Sequence, residues 1–276
     1  MFSASADDSN YCVLSFVSEV SIVATLEQLR QETTKLRITA AAIGVELRQV
    51  LMEYFDRLKY AVQQQLVLSS FHLCTQVYPE AFLQISTSNR ESLQRRIRQL
   101  GIETATTLAG MLQPLQVIDC GTETDPTALL EEWETIEVNI TALLQDTSRH
   151  VNHLLQDGQV MQIKALDKLL ATAVKAEATG RTVTNPPHLL KALVDQEEEN
   201  EDDLDPVVAI YLQLGDLEFT DPELMSKRQR LRPLLQKLAQ VQQTYAQKQE
   251  EQLTAEAIAA WKATWVSDGL EGGSMG

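Results

Sequence analysis

The chain has 276 residues, of which 44% are hydrophobic, so it can bury a sizeable core and is not a disordered segment. Its net charge of −16 excludes a whole-chain cationic footprint of the kind that duplex nucleic acid requires, and it disfavours anionic membrane surfaces. Only 11 Gly and 8 Pro interrupt a composition rich in Leu, Ala, Gln and Glu, which favours long helices and an all-α fold.

Residues 1–11 carry no basic and apolar leader signature and are expected to be a disordered N-terminus. The most apolar stretch, 12-CVLSFVSEVSIVATL-26, contains Glu19 and several Ser and is too short and too polar to span a bilayer. From about Val13 the chain reads as helix. Apolar residues from Leu26 through Leu47, Leu51, Phe55, Leu58, Val62 and Leu66 to Leu73 step mostly by three or four. The β-branched cluster in 32-ETTKLRIT-39 suggests a break. Pro79 ends the run after Tyr78.

Within it, 69-SSFHLCTQVYPEAFLQIS-86 sets His72, Cys74, Tyr78 and Glu80 close together. On a helix His72 and Cys74 point about 200° apart and cannot share a metal, so this stretch reads as core, with Phe71, Cys74 and Tyr78 on one face.

Ser88 with Glu91 three residues later reads as a capping box opening a basic helix, 90-RESLQRRIRQLG-101, which Gly101 caps or interrupts. Asp125-Pro126 is the next helix start, leading to a helix that ends at Asp157-Gly158. Another covers 160–180, and Asn185-Pro186-Pro187 opens a short one at 188–194. The run 195-DQEEENEDDLD-205 has eight acids in eleven residues and reads as an acidic hinge or linker.

Asp205-Pro206 and Asp221-Pro222 repeat the helix-start pair. They predict a buried helix over 207–219 and a long one to about Val266, kinked at Pro233, together a C-terminal helical hairpin. Leu231, Leu234, Leu238, Val241 and Tyr245 give it a coiled-coil-like seam. Residues 267–276 are expected to be a disordered tail. The expected organisation is therefore a helical bundle over 12–194, an acidic linker over 195–205 and a helical hairpin over 206–266.

Candidate chemistry is sparse. His150 and His153, with Asp146 one turn earlier, share a helix face, but no Glu-x-x-His pair completes a carboxylate-bridged metal site, and a polar helix surface is the simpler reading. Glu131, Glu132, Glu134 and Glu137 around Trp133 suit an early helix position. No phosphate-binding loop, dinucleotide fingerprint, metalloprotease pair or nucleophile elbow is present. No cofactor or metal is expected.

Two basic patches remain, Arg90, Arg95, Arg96 and Arg98, and Lys227, Arg228, Arg230, Arg232 and Lys237. They are candidates for anion contact, although solvation or pairing within the molecule is the plainer reading. Ile258, Trp261 and Trp265 line one face of the last helix. They either dock on the chain's own core, the favoured reading, or anchor a partner. The three cysteines, Cys12, Cys74 and Cys120, form no CxxC pair and fit free thiols in a reducing compartment.

Three segments together, 71-FHLCTQVYPEAFLQIS-86, 207-VVAIYLQLGDLEFTDPELMSKRQRLRPLL-235 and 255-AEAIAAWKATW-265, resemble an uncharacterised all-helical protein family of cyanobacteria. The resemblance implies a cytoplasmic or thylakoid-peripheral setting and no particular reaction. The function expected is non-enzymatic: a protein-binding, scaffold or assembly role through helical surfaces. Two alternatives stand beside it. One is a helical enzyme or binder of a small ligand or metal. The other is peripheral membrane or RNA contact through the arginine patches.

Overall fold

The computed structural model describes residues 8–112, 123–162, 166–178, 187–195 and 204–268, with side chains within 24–112, 123–162, 166–175, 187–191 and 207–264. The protein is all-α apart from one small two-stranded sheet among the described residues. In chain order it has α1 (Asp8–His72), a π-helical turn (Leu73–Val77), α2 (Pro79–Gln84), α3 (Thr87–Gly110) and α4 (Pro126–Asp157). Then come α5 (Leu166–Ala178), β1 (Leu189–Asp195), β2 (Leu204–Ile210), α6 (Leu214–Thr220) and α7 (Pro222–Asp268). The expected disordered tail lies outside the described residues from 269 onward. Of the expected disordered N-terminus, residues 8–11 are helical and the rest lies outside them.

The helix starts follow the chain's polar punctuation. Asp125 Oδ1 accepts from Thr127 N at 2.8 Å, so α4 begins at Pro126 as the Asp-Pro pair predicts. Asp221 Oδ1 accepts from Glu223 N and Leu224 N, both at 3.0 Å, and opens α7. At α3 the cap lies two residues earlier than expected. Ser86, not Ser88, takes Asn89 N at 3.2 Å, because Ser86 is the residue with extended backbone. α1 runs unbroken through 32–39, where Thr33 and Thr39 bond their hydroxyls back to Arg30 O and Lys35 O and so stay within the helix. Gly101 does not interrupt α3, and Pro233 lies inside α7.

The Asp157-Gly158 helix end has an unexpected division of labour. The left-handed residue is Gln159 (φ 60°), and Gly158 provides room instead. A Cβ on Gly158 would stand 3.3 Å from a Leu93 methyl of α3.

The expected helices at 188–194 and 207–219 are a correction. They form β1 and β2, which pair antiparallel with Leu189 opposite Ile210 and Asp195 opposite Leu204, and only 214–220 is helical. The physical reason lies on the outer edge of β2, whose backbone groups are bonded by side chains from the helices. Asn152 Nδ2 donates to Ile210 O at 2.7 Å, and its Oδ1 accepts from Ile210 N at 2.9 Å. Ser148 Oγ accepts from Leu212 N at 2.8 Å. The Tyr78 hydroxyl donates to Val208 O and accepts from Val208 N, both at 3.2 Å. These three side chains take the place of a third strand. The two ends of the acidic run, Asp195 and Leu204, are thus partners in one ladder, and residues 196–203 between them lie outside the described residues.

Two compact units divide the chain. The larger comprises 47–119 and 131–233. Its core is built from Leu47, Leu51, Tyr54, Phe55, Leu58, Val62 and Leu66 of α1, Leu93, Ile97 and Leu108 of α3, and Trp133, Ile140, Leu144, Val151 and Leu155 of α4. Val207–Leu212, Leu217 and Leu224 complete it. The α1 residues among these are the ones whose three-and-four spacing predicted a buried stripe.

The smaller unit comprises 1–46, 120–130 and 234–276. Here the α1 and α7 segments run antiparallel, tied by Lys248–Glu32 (3.2 Å) and Arg30–Glu256 (3.5 Å). The start of α4 joins them through Thr124 N to Arg37 O (3.1 Å) and Arg37–Glu123 (3.2 Å). Leu29, Ala40, Ala41, Ile43, Leu129, Leu234, Leu238 and Tyr245 are buried, so the seam expected in α7 is a packing face as far as Tyr245.

Candidate interaction surface

Beyond Tyr245 the character of α7 changes. No side chain described from 246 to 264 is buried. Leu253, Ile258 and Trp261 are 67%, 46% and 69% exposed. At about 100° per residue these three lie within an arc of roughly 140° on one side of the helix. Trp265 falls inside that arc by spacing, and its side chain lies outside the described residues. The favoured expectation, docking on the chain's own core, is therefore corrected for Ile258 and Trp261. Among the described side chains of α1 from 24 to 30, only Leu29 is buried. Several polar residues here are used along the helix: Glu251 pairs with Lys248 at 2.8 Å, and Glu256 accepts from Gln252 at 3.0 Å.

The arginine patches separate into used and available cations. Lys227, Arg228 and Arg230 pair within the larger unit, with partners other than the acidic run. Arg230 reaches Glu53 at 2.6 Å and Lys227 reaches the same carboxylate at 3.6 Å, which holds Glu53 below the usual carboxylate range. Arg228 is mostly buried, bonds Glu137, lies 3.4 Å from Glu218 and covers the Trp133 ring at 5.6 Å. Tyr54, with no exposed surface, donates to the same Glu218 at 2.7 Å. Burial, and then the Glu218 charge, push the Tyr54 phenol far above its ordinary range. This is a largely internal polar network, in which Arg228 Nε and Nη1 are buried without a hydrogen-bond partner.

Arg57 and Asp221 form a second such pair at 2.7 Å. Burial alone would raise Asp221, but the bond from Arg57 and the N–H groups of Leu224 and Glu223 outweigh it and hold the carboxyl below its usual value. In the first patch Arg90 is structural. It donates to Phe82 O (3.1 Å) and Leu83 O (2.5 Å), closing the end of α2. Arg96 meets Asp157 at 3.5 Å. Arg95 and Arg98 have no acidic partner among the described residues.

The 69–86 stretch is only partly core. Leu73 and Cys74 are buried, whereas Phe71 is 62% exposed. The π turn, closed by Tyr78 N to Leu73 O at 2.9 Å, breaks the single face on which Phe71, Cys74 and Tyr78 were expected. Burial pushes the Cys74 thiol up to about 11, which leaves it a poor nucleophile. His150 is exposed, and His153 stands 3.5 Å from Asp167. No three His, Cys, Asp or Glu side chains converge among the described residues, and no described helix is long and apolar enough to cross a membrane.

Two features escaped the sequence reading. His188 is 2% exposed with a left-handed backbone (φ 64°). Its Nε2 lies 3.3 Å from Thr220 Oγ1, its Nδ1 is buried without a partner, and burial lowers its pKa. Ser148 and Asn152, one turn apart on the buried face of α4, are the docking groups for β2. Two polar residues on an otherwise apolar stripe were the available signal.

Comparison with protein-family models, with curated proteins and with solved structures returned no match.

Proposed function

We propose that this chain is a non-enzymatic interaction protein that engages another protein through the 246–264 part of α7. The observation that carries the reading is the grouping of Leu253, Ile258 and Trp261 on a helix stretch with no buried side chain of its own. A single exposed apolar residue on a helix is ordinary, but a cluster that includes a tryptophan marks a contact surface. Tryptophan is the side chain most enriched among residues that dominate binding energy. An amphipathic helix laid against a groove reads its partner through such three-and-four spaced anchors. Glu250, Glu251 and Glu256 flank these positions together with Lys248 and Lys262, so the complementary partner surface is apolar with a mixed polar rim. The family resemblance adds a cytoplasmic or thylakoid-peripheral setting to this reading.

The test is affinity capture of the full-length tagged protein from native lysate beside an Ile258→Ala, Trp261→Ala variant with unchanged helicity. A defined protein recovered by the parent and lost from the variant is the expected result. Identical recovery by both would remove the surface from the account.

A further inference from the structure

A second site lies in the larger unit, where α1 ends. The π turn and Pro79 fold the chain back so that α2 faces α3, and a pocket of about 270 Å3 remains between them and the last turns of α1. Its wall is Val67, Phe71, Cys74, Phe82, Leu93 and Ile97. The two hydroxyls on it are already satisfied, since Ser70 bonds Leu66 O at 2.7 Å and Thr75 bonds Phe71 O at 2.8 Å. The interior therefore asks for no hydrogen bond and favours an apolar occupant over water. Gln94 and Arg98, one turn apart on α3, complete the lining, and both are exposed. Arg98, like Arg95, has no carboxylate partner among the described residues. Apolar wall and unpaired guanidinium thus belong to one cavity.

We propose that this pocket binds a small amphiphilic carboxylate, its hydrocarbon chain against Phe71, Phe82, Leu93 and Ile97 and its carboxylate on Arg98. At the ~30 Å3 that a water occupies in the liquid, the cavity holds about nine non-hydrogen atoms, the size of a chain of eight carbons with its head at the mouth. Arg98 supplies a rim contact in solvent and the wall supplies most of the affinity.

Sodium octanoate and 1-octanol are titrated into the full-length protein and into Arg98→Gln, a surface change that leaves the wall intact. The expected result is saturable 1:1 octanoate binding that weakens about threefold to fivefold in the variant, while octanol binding does not change. In parallel, octanoate should slow alkylation of Cys74 in a Cys12→Ser, Cys120→Ser background, because the thiol lines the same cavity. Absence of saturable binding, binding indifferent to Arg98→Gln, or binding that leaves the Cys74 rate unchanged would each overturn the proposal. None of these outcomes bears on the α7 surface, which lies elsewhere in the chain.

Discussion

Removal of the Asn152 amide is the sharpest perturbation of the fold. Asn152 has no exposed surface and makes both hydrogen bonds that Ile210 would otherwise make to a neighbouring strand, at 2.7 and 2.9 Å. In Asn152→Ala the N–H and C=O of Ile210 stay buried, since Ile210 itself has no exposed surface. A buried group left without a partner costs about 1–3 kcal/mol, so two such groups predict a loss of about 2–4 kcal/mol after partial relaxation. The assay is urea unfolding with the midpoint compared at equal slope, together with hydrogen exchange over 204–212. Gln145→Ala, on the same helix and outside the core, is the control and should stay within about 0.5 kcal/mol. A loss in Asn152→Ala no larger than the control's, with exchange at Ile210 unchanged, would refute the reasoning that helix side chains hold this strand.

Three further outcomes follow from the packing. Tyr54→Phe deletes the donor to Glu218 and leaves a buried carboxylate on Arg228 alone, which should cost about 1–3 kcal/mol by the same unfolding assay. The folded-state pKa of His188 lies below its ordinary value of 6.5. The unfolded chain therefore takes up the proton first, and stability should fall as pH drops through 6.5 toward the folded value. His188→Asn tolerates the same left-handed backbone and should flatten that pH dependence between pH 7.5 and 5.5. Gly101→Ala should stabilise α3 by about 0.5–1 kcal/mol, because the added methyl meets Gln63 Cγ at an ordinary 3.5 Å and the helix gains propensity.

What the sequence discloses here divides along physical lines. Helices carried by a continuous apolar stripe, such as Leu47 to Leu66 in α1, are legible because spacing alone decides which side is buried. Asp125-Pro126 and Asp221-Pro222 are legible because a cap is a local bond between neighbours. The same Asp-Pro pair at 205–206 misleads. There a non-local bond decides the outcome, with side chains 58 and 130 positions away holding the strand edge. Residues 189-LLKALVD-195 are rich in helix formers, and their strand conformation depends on that tertiary context. The exposure of Trp261 was equally hidden. Three-and-four spacing marks an apolar face, but only the burial of the opposing helix tells whether that face is covered.

The central claim, that the 246–264 face of α7 is a partner surface, is tested most directly by site-specific photo-crosslinking in native cells. A photoreactive amino acid replaces Ile258 in the full chain, and the same probe at Gln243, exposed on α7 but before Tyr245, serves as the control. The account predicts a discrete adduct with one other protein from position 258 and none from position 243. No adduct from position 258, or the same products from both positions, would contradict it.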